Sequence, residues 1–159
     1  MSSLPSQLRP ARLDPAFKQS LRPFLGTILL RRGRVTQERL DAALAEVERS
    51  GRRLGDILLE RRWLYESELA QALAEQNELD YVDIAARSVD PKVAARLPRD
   101  FAEYFRAVPV RTMSSGAVMV AVADPADLDA EILRIILHAD VQLVVGELTA
   151  IRQAWRHCP

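Results

Sequence analysis

Leu25-Gly26-Thr27-Ile28-Leu29 recurs as Leu54-Gly55-Asp56-Ile57-Leu58, and Leu40-Asp41-Ala42-Ala43-Leu44 recurs as Leu69-Ala70-Gln71-Ala72-Leu73. Both offsets are 29 residues, so the front of the chain is one unit used twice. Within a unit Leu25, Ile28 and Leu29, then Leu40, Ala43, Leu44 and Val47, follow the i, i+3, i+4, i+7 spacing of one buried helical stripe. Each unit therefore reads as a helical hairpin, and four short helices are expected over residues 24 to 77. Gly33 suits a left-handed C-cap, Thr36 caps the helix that follows, Gly51 ends it, and Glu66 and Glu68 fall in the first turn of the fourth. Upstream, Asp14-Pro15 has the form of an N-cap with proline at the first helical position, which predicts a short helix over 15 to 21.

After Asn77 the rhythm changes. Tyr81 to Ile84, Ala107 to Thr112, Ala117 to Ala123 and Val141 to Val145 are β-type runs, and Ser114-Ser115-Gly116 reads as a hairpin turn. Helices are expected at Pro91 to Leu97, Asp100 to Phe105, Leu128 to His138 and Thr149 to Arg156. The fold class is then α+β: an arm at 1–22, a tandem-hairpin subdomain at 23–77, and a small α/β subdomain at 78–159 with helices on one face of its sheet.

Composition narrows the function. Hydrophobic residues are 48% and charged residues 28% of the 159, with no apolar run long enough to cross a bilayer and no signal-peptide pattern at Met1 to Pro5. A soluble, cytoplasmic protein is expected, with no membrane insertion. Cys158 is the single cysteine and reads as incidental, and His138 and His157 lack ligand-spaced partners, so no metal or other cofactor is expected. No glycine-rich phosphate loop is present, and no nucleophile, base and orienting group can be nominated together. An enzyme is disfavoured, with no catalytic residue to name.

Net charge is zero, yet residues 1 to 62 carry 13 basic and 7 acidic side chains and the remainder 9 and 15. That asymmetry fits an anionic partner at the front or attraction between the two parts equally well. Arg53 stands before the repeated Leu-Gly pair, where glycine admits close approach and a guanidinium can stack on a purine or fork onto phosphate. The leucines read as core, and part of the stripe can instead line an apolar groove beneath a base. Asp124-Pro125-Ala126-Asp127 follows a strand and precedes a helix; capping is expected there, and a carboxylate so placed can also read a guanine edge.

Arg53-Leu54-Gly55-x-x-Leu58, followed by Leu69-x-x-x-Leu73-x-x-Gln76, resembles the 24-residue motif of the cyclic-di-GMP-binding N-terminal domain of type II secretion and type IV pilus assembly ATPases, typified by the mannose-sensitive haemagglutinin pilus ATPase. That family carries the motif twice, five residues apart. Here the first copy runs from Phe24 to Val47 and the second from Arg53 to Gln76, and residues 78 to 156 resemble the companion domain, including Val122-Ala123-Asp124-Pro125. The resemblance implies a non-catalytic regulatory domain in which each motif holds half of one cyclic-di-GMP. From the first copy it implicates Phe24, Leu25, Gly26, Leu29, Gly33, Leu40 and Leu44. From the second it implicates Arg53, Leu54, Gly55 and Asp56, then Leu58, Leu69, Leu73 and Gln76.

Three positions depart from the pattern: Phe24 replaces the first Arg, Val47 the first Gln, and Arg62 the second Gly. The first half-site is thus two polar contacts short. The implied partners are cyclic-di-GMP and an effector such as a secretion or pilus ATPase, an inner-membrane platform protein or a glycosyltransferase, with no nucleic acid polymer among them. The rival reading is a protein-docking domain of the same fold that has lost nucleotide binding.

Overall fold

Two left-handed residues set the shape of the front half in the computed structural model, which describes residues 24–84, 89–126 and 128–159. Helix α1 (Leu25–Arg31) ends at Gly33, φ 68°, and α3 (Leu54–Glu60) ends at Arg62, φ 59°. The chain reverses at each and enters a longer helix, α2 (Gln37–Ser50) or α4 (Glu66–Gln76). The same three backbone bonds close both turns. Arg32, Gly33 and Arg34 donate to Ile28, Leu30 and Leu29, and Arg61, Arg62 and Trp63 donate to Ile57, Leu59 and Leu58, all at 2.9–3.0 Å. Thr36 Oγ1 accepts from the Arg39 amide at 3.2 Å, and Gly51 closes α2 at φ 71°, as the sequence predicts. The expected helix at 15–21 and its Asp14 cap lie outside the described residues.

The four helices share one core to which both repeats contribute matching positions: Ile28 with Ile57, Leu29 with Leu58, Val35 with Leu64, and Ala43 with Ala72. α1 packs on α4 and α2 on α3. The glycine of each Leu-Gly pair makes the close approach possible, since a β-carbon on Gly26 would stand 3.0 Å from Leu40 Cδ1 and one on Gly55 would stand 3.0 Å from Leu69 Cδ1. Charged pairs between helices repeat the logic at the surface: Arg31 and Arg32 reach Glu75, and Arg61 reaches Glu46 at 2.6 Å. Arg61 and Arg39 also lie over the Trp63 ring, at 5.1 and 5.5 Å from its centroid.

In the back half, α5 (Pro91–Ala94) and α6 (Arg99–Phe105) precede the strands β1 (Ala107–Thr112) and β2 (Val118–Val122). These form the expected hairpin, closed by Met113 N–H to the Ala117 carbonyl at 2.7 Å with Gly116 at φ 91°. Pro109 is tolerated because β1 is an edge strand, and the register shifts beside it between Pro109 and Arg111. After β2, helix α7 (Ala130–Leu137) returns the chain to β3 (Val141–Val145), parallel to β2, and α8 (Leu148–Ala154) with a 3-10 turn at Trp155–His157 follows. The sheet order is β1-β2-β3.

Four expectations need correction. Tyr81 to Ile84 is not a strand. Only Tyr81 bridges to Val145, because β3 stops there and Gly146 leads into α8, so later residues have no ladder to join. The helices do not leave one sheet face open: all five residues of β2 are buried, which requires cover on both sides. The cap of α7 is Asp129, whose side chain accepts from Glu131 N–H at 2.9 Å, and not Asp124; Asp127 lies outside the described residues. Cys158 is not incidental to the fold, being buried among α/β core residues with its thiol 3.4 Å from the Ala94 carbonyl. Burial raises its pKa, while Arg99 acts weakly in the opposite direction. Next to it, the Pro159 carbonyl accepts from Arg99 N–H at 2.7 Å, tying the chain end to the start of α6.

Candidate functional site

Because β2 and β3 are parallel, their carboxyl ends emerge side by side, the usual place for a ligand in such a sheet. The second hairpin covers that place. Ala70, Leu73 and Ala74 of α4 pack on Val145 at the end of β3, with Leu25, Leu69, Leu79 and Tyr81 around them. Where this seam opens there is a cleft of about 370 Å³. Its helical wall is Arg53, Leu54, Gly55 and Asp56 at the start of α3 with Leu69, Leu73 and Gln76 of α4. Its opposite wall is Ala123, Asp124 and Ala126 after β2, and Gly146, Glu147 and Leu148 after β3.

Several polar groups of the cleft are held in place. Arg53 Nη1 donates to Asp124 Oδ2 at 2.8 Å, an ion pair that crosses from the helical part to the sheet. The other oxygen of Asp124 accepts from Ala126 N–H at 3.0 Å, which fixes the carboxylate's direction. Glu66 bridges the same seam, accepting from the Thr149 amide at 3.1 Å and its hydroxyl at 2.7 Å. The Tyr81 hydroxyl donates to Glu147 Oε1 at 3.1 Å; burial, with Glu147 adding to it, pushes the phenol pKa up to about 12. Gly146 permits close packing, as a β-carbon there would lie 2.7 Å from Ile84 Cδ1. Two guanidinium groups, Arg53 and Arg106, face four carboxylates, Asp56, Glu66, Asp124 and Glu147.

The two motifs fare differently. Seven of the eight second-copy residues nominated from sequence line the cleft; Leu58 is fully buried in the helical core. From the first copy only Leu25 reaches it. Leu29 is in the core, Leu40 packs on Gly26, Gly33 forms the turn after α1, and Phe24 and Leu44 are exposed. Sequence reasoning missed Arg106, Glu66, Glu147 and Leu148 as cleft residues. The strand–helix–strand order of β2, α7 and β3 was the available signal, since it makes both strand-end loops candidates at once.

The MshEN domain model matches residues 77–159, which is the α/β part and its lead-in. Among curated proteins, the type IV pilus assembly ATPase PilB of Thermus thermophilus is 40% identical over 102 residues, 64% of this chain and 11% of PilB. PilB of Myxococcus xanthus is 27% identical over 131 residues, 82% of this chain and 23% of PilB, and the bacteriophage adsorption protein B of Escherichia coli is 40% identical over 94, 58% of this chain and 12% of that protein. The chain thus spans under a quarter of these relatives. Two solved structures match along most of its length: MshE with cdg, at 31% identity and TM-score 0.71 over 85% of this chain and 98% of that one, and the N-terminal domain of XpsE, at 26% and 0.65 over 88% and 95%. A family match over half the chain, and a structural match over 85% of it, agree that the chain belongs to the MshEN domain family.

Proposed function

We infer that the chain is a non-catalytic receptor domain for cyclic-di-GMP, with residues 23–77 supplying most of the ligand contacts and 78–159 completing the site. The observation that carries this reading is the composition of the cleft: a second motif that keeps Arg53 and Gln76, the apolar Leu54, Leu69 and Leu73 beside them, and Asp124 on the opposite wall. Each group has a matching partner on such a ligand. A guanidinium pairs with phosphate or stacks on a purine, leucines cover a base face, and a carboxylate accepts from the N–H edge of guanine. The match to MshE with cdg supports the same ligand. Three of the four carboxylates of the cleft, Asp124, Glu66 and Glu147, are engaged in structural hydrogen bonds, which favours a binding role over a chemical one. The effector, on this reading, is a cytoplasmic secretion or pilus ATPase, an inner-membrane platform protein or a glycosyltransferase, attached or separate.

One observation favours the rival docking reading. Four carboxylates face two arginines in the cleft, and Arg53 is already paired with Asp124, so an anionic ligand must compete for it. Thermal melting with cyclic-di-GMP, GMP, GTP and ATP separates the two. A ligand that binds only the folded state raises the melting temperature with its concentration. The receptor reading expects this for cyclic-di-GMP first; no rise with any of the four supports docking.

A further inference from the structure

A second cleft of about 350 Å³ adjoins the first, and the two share Arg53, Arg106 and Asp124. Its remaining wall is Tyr104 and Phe105 at the end of α6, with Leu128. Tyr104 is 81% exposed, yet its ring is braced: it meets Phe105 edge-on at 5.1 Å and 83°, and Phe105 lies near-parallel to Phe101 at 6.3 Å. Arg106 ends α6 in the left-handed region, φ 48° and ψ 54°, a conformation unfavourable for any residue with a β-carbon. Its carbonyl accepts from Ala123 N–H at 3.0 Å, which anchors it beside Asp124. Among the described residues its guanidinium makes no ion pair and no side-chain hydrogen bond, unlike the other arginine of the cleft.

We propose that the second cleft is the subsite for the other half of the ligand, with Tyr104 stacking on its base and Arg106 pairing with its phosphate, in place of the degenerate first motif. This rests on the cyclic-di-GMP reading above. A ligand of two identical halves needs two places, and the first motif offers little for one: Phe24 and Val47 carry no charge, and only Leu25 reaches the first cleft. The second cleft continues the first across Arg53 and supplies what the motif lacks, an aromatic face and an available cation. Aromatic stacking is a general way to hold a base, and a guanidinium beside it suits the linking phosphate. Either cleft alone is near the lower end of the range of roughly 300–1,000 Å³ for small-molecule sites, so a two-base ligand uses both.

The test is calorimetric titration of cyclic-di-GMP into the wild-type chain and into Arg53→Ala, Tyr104→Ala, Arg106→Gly and the Phe24→Arg, Val47→Gln double variant, with melting temperatures alongside. Arg106→Gly removes the guanidinium while relieving the left-handed backbone, and Tyr104 is a surface residue, so both variants are expected to stay folded. Each should bind about ten-fold more weakly or worse, whereas the double variant should bind like the wild type. Loss of affinity in Arg53→Ala with wild-type affinity in both Tyr104→Ala and Arg106→Gly would overturn the subsite and leave the receptor reading standing. A wild-type chain that does not bind cyclic-di-GMP overturns the receptor reading itself, and this proposal with it.

Discussion

Arg62 holds in the second hairpin the place that Gly33 holds in the first, with nearly the same backbone, φ 59° against 68°. The three turn bonds are the same in both, so the fold imposes the left-handed conformation and arginine bears its cost. No ion pair of Arg62 offsets this among the described residues. Arg62→Gly should therefore stabilise the chain by about 0.5 to 1 kcal/mol, the lost β-carbon strain exceeding the extra unfolded-state freedom of glycine. Urea denaturation reads this as a higher midpoint at unchanged slope; a lower midpoint would contradict it.

Tyr81 makes a pH-dependent contribution at the same scale. Its phenol is favoured in neutral form in the folded state and its pKa is raised from 10.0 to about 12, by burial first and then by the Glu147 hydrogen bond. The stabilisation is fully present below pH 10 and is lost as pH rises from about 10 to about 12, where the unfolded chain ionises and the folded one does not. Tyr81→Phe should flatten the fall of stability across that window. Wild-type tyrosinate absorbance should show one tyrosine ionising near pH 12, and its absence would show that Tyr81 is not so enclosed.

At the scale of elements, the hairpins were legible because their signals are local: a 3.6-residue apolar stripe, a capping threonine, and glycines where the chain must turn left-handed. The β1-β2 hairpin was legible for the same reason. Tyr81 to Ile84 was not, because strand identity depends on a neighbour, and the end of β3 at Val145 is invisible from the run itself. The repeated Leu-Gly pairs carry a further consequence. A β-carbon on either glycine would stand 3.0 Å from a leucine methyl, but Leu40 is 4% exposed inside the helical core while Leu69 is partly buried and borders the cleft. Leu69 has room to yield. Gly26→Ala should thus destabilise by about 1 kcal/mol more than Gly55→Ala, since overpacking costs most where neighbours cannot move and alanine otherwise favours a helix. Equal stabilities by chemical denaturation would show that both leucines yield alike.

For the whole molecule, the charge asymmetry seen in sequence dissolves once partners are visible. Between Phe24 and Asn77 nine arginines stand against nine carboxylates, and most of the arginines are paired or stacked within the helical part. The excess of basic residues belongs to 1–23, with four basic and one acidic side chain, and the excess of acidic ones to 78–159, with twelve against nine. Neither general attraction to an anion nor general glue between halves describes the helical part; among the described residues the ion pair of Arg53 with Asp124 joins it to the sheet. No helix among the described residues is long and apolar enough to cross a membrane. Half of the candidate site was readable as motif residues, because the second copy retains its polar ends. The sheet's half was readable only at Asp124, because Arg106 and Glu147 join the cleft only when two parallel strands end under the second hairpin.

On the proposed reading this seam between second hairpin and sheet is the ligand site, and Arg53 is the residue on which both walls converge. Its ion pair is half-exposed, so losing it should change stability by no more than about 1 kcal/mol. Losing a charge-assisted ligand contact should cost about 1.5 to 3 kcal/mol of binding, ten-fold or more in affinity. The most direct measurement is calorimetric titration of cyclic-di-GMP into the wild-type chain and Arg53→Ala, with the fold of each checked by melting. The expected result is binding by the wild type and at least a ten-fold loss in a variant that remains folded. A folded Arg53→Ala chain that binds as tightly as the wild type would contradict the site, and a wild type that does not bind would contradict the function.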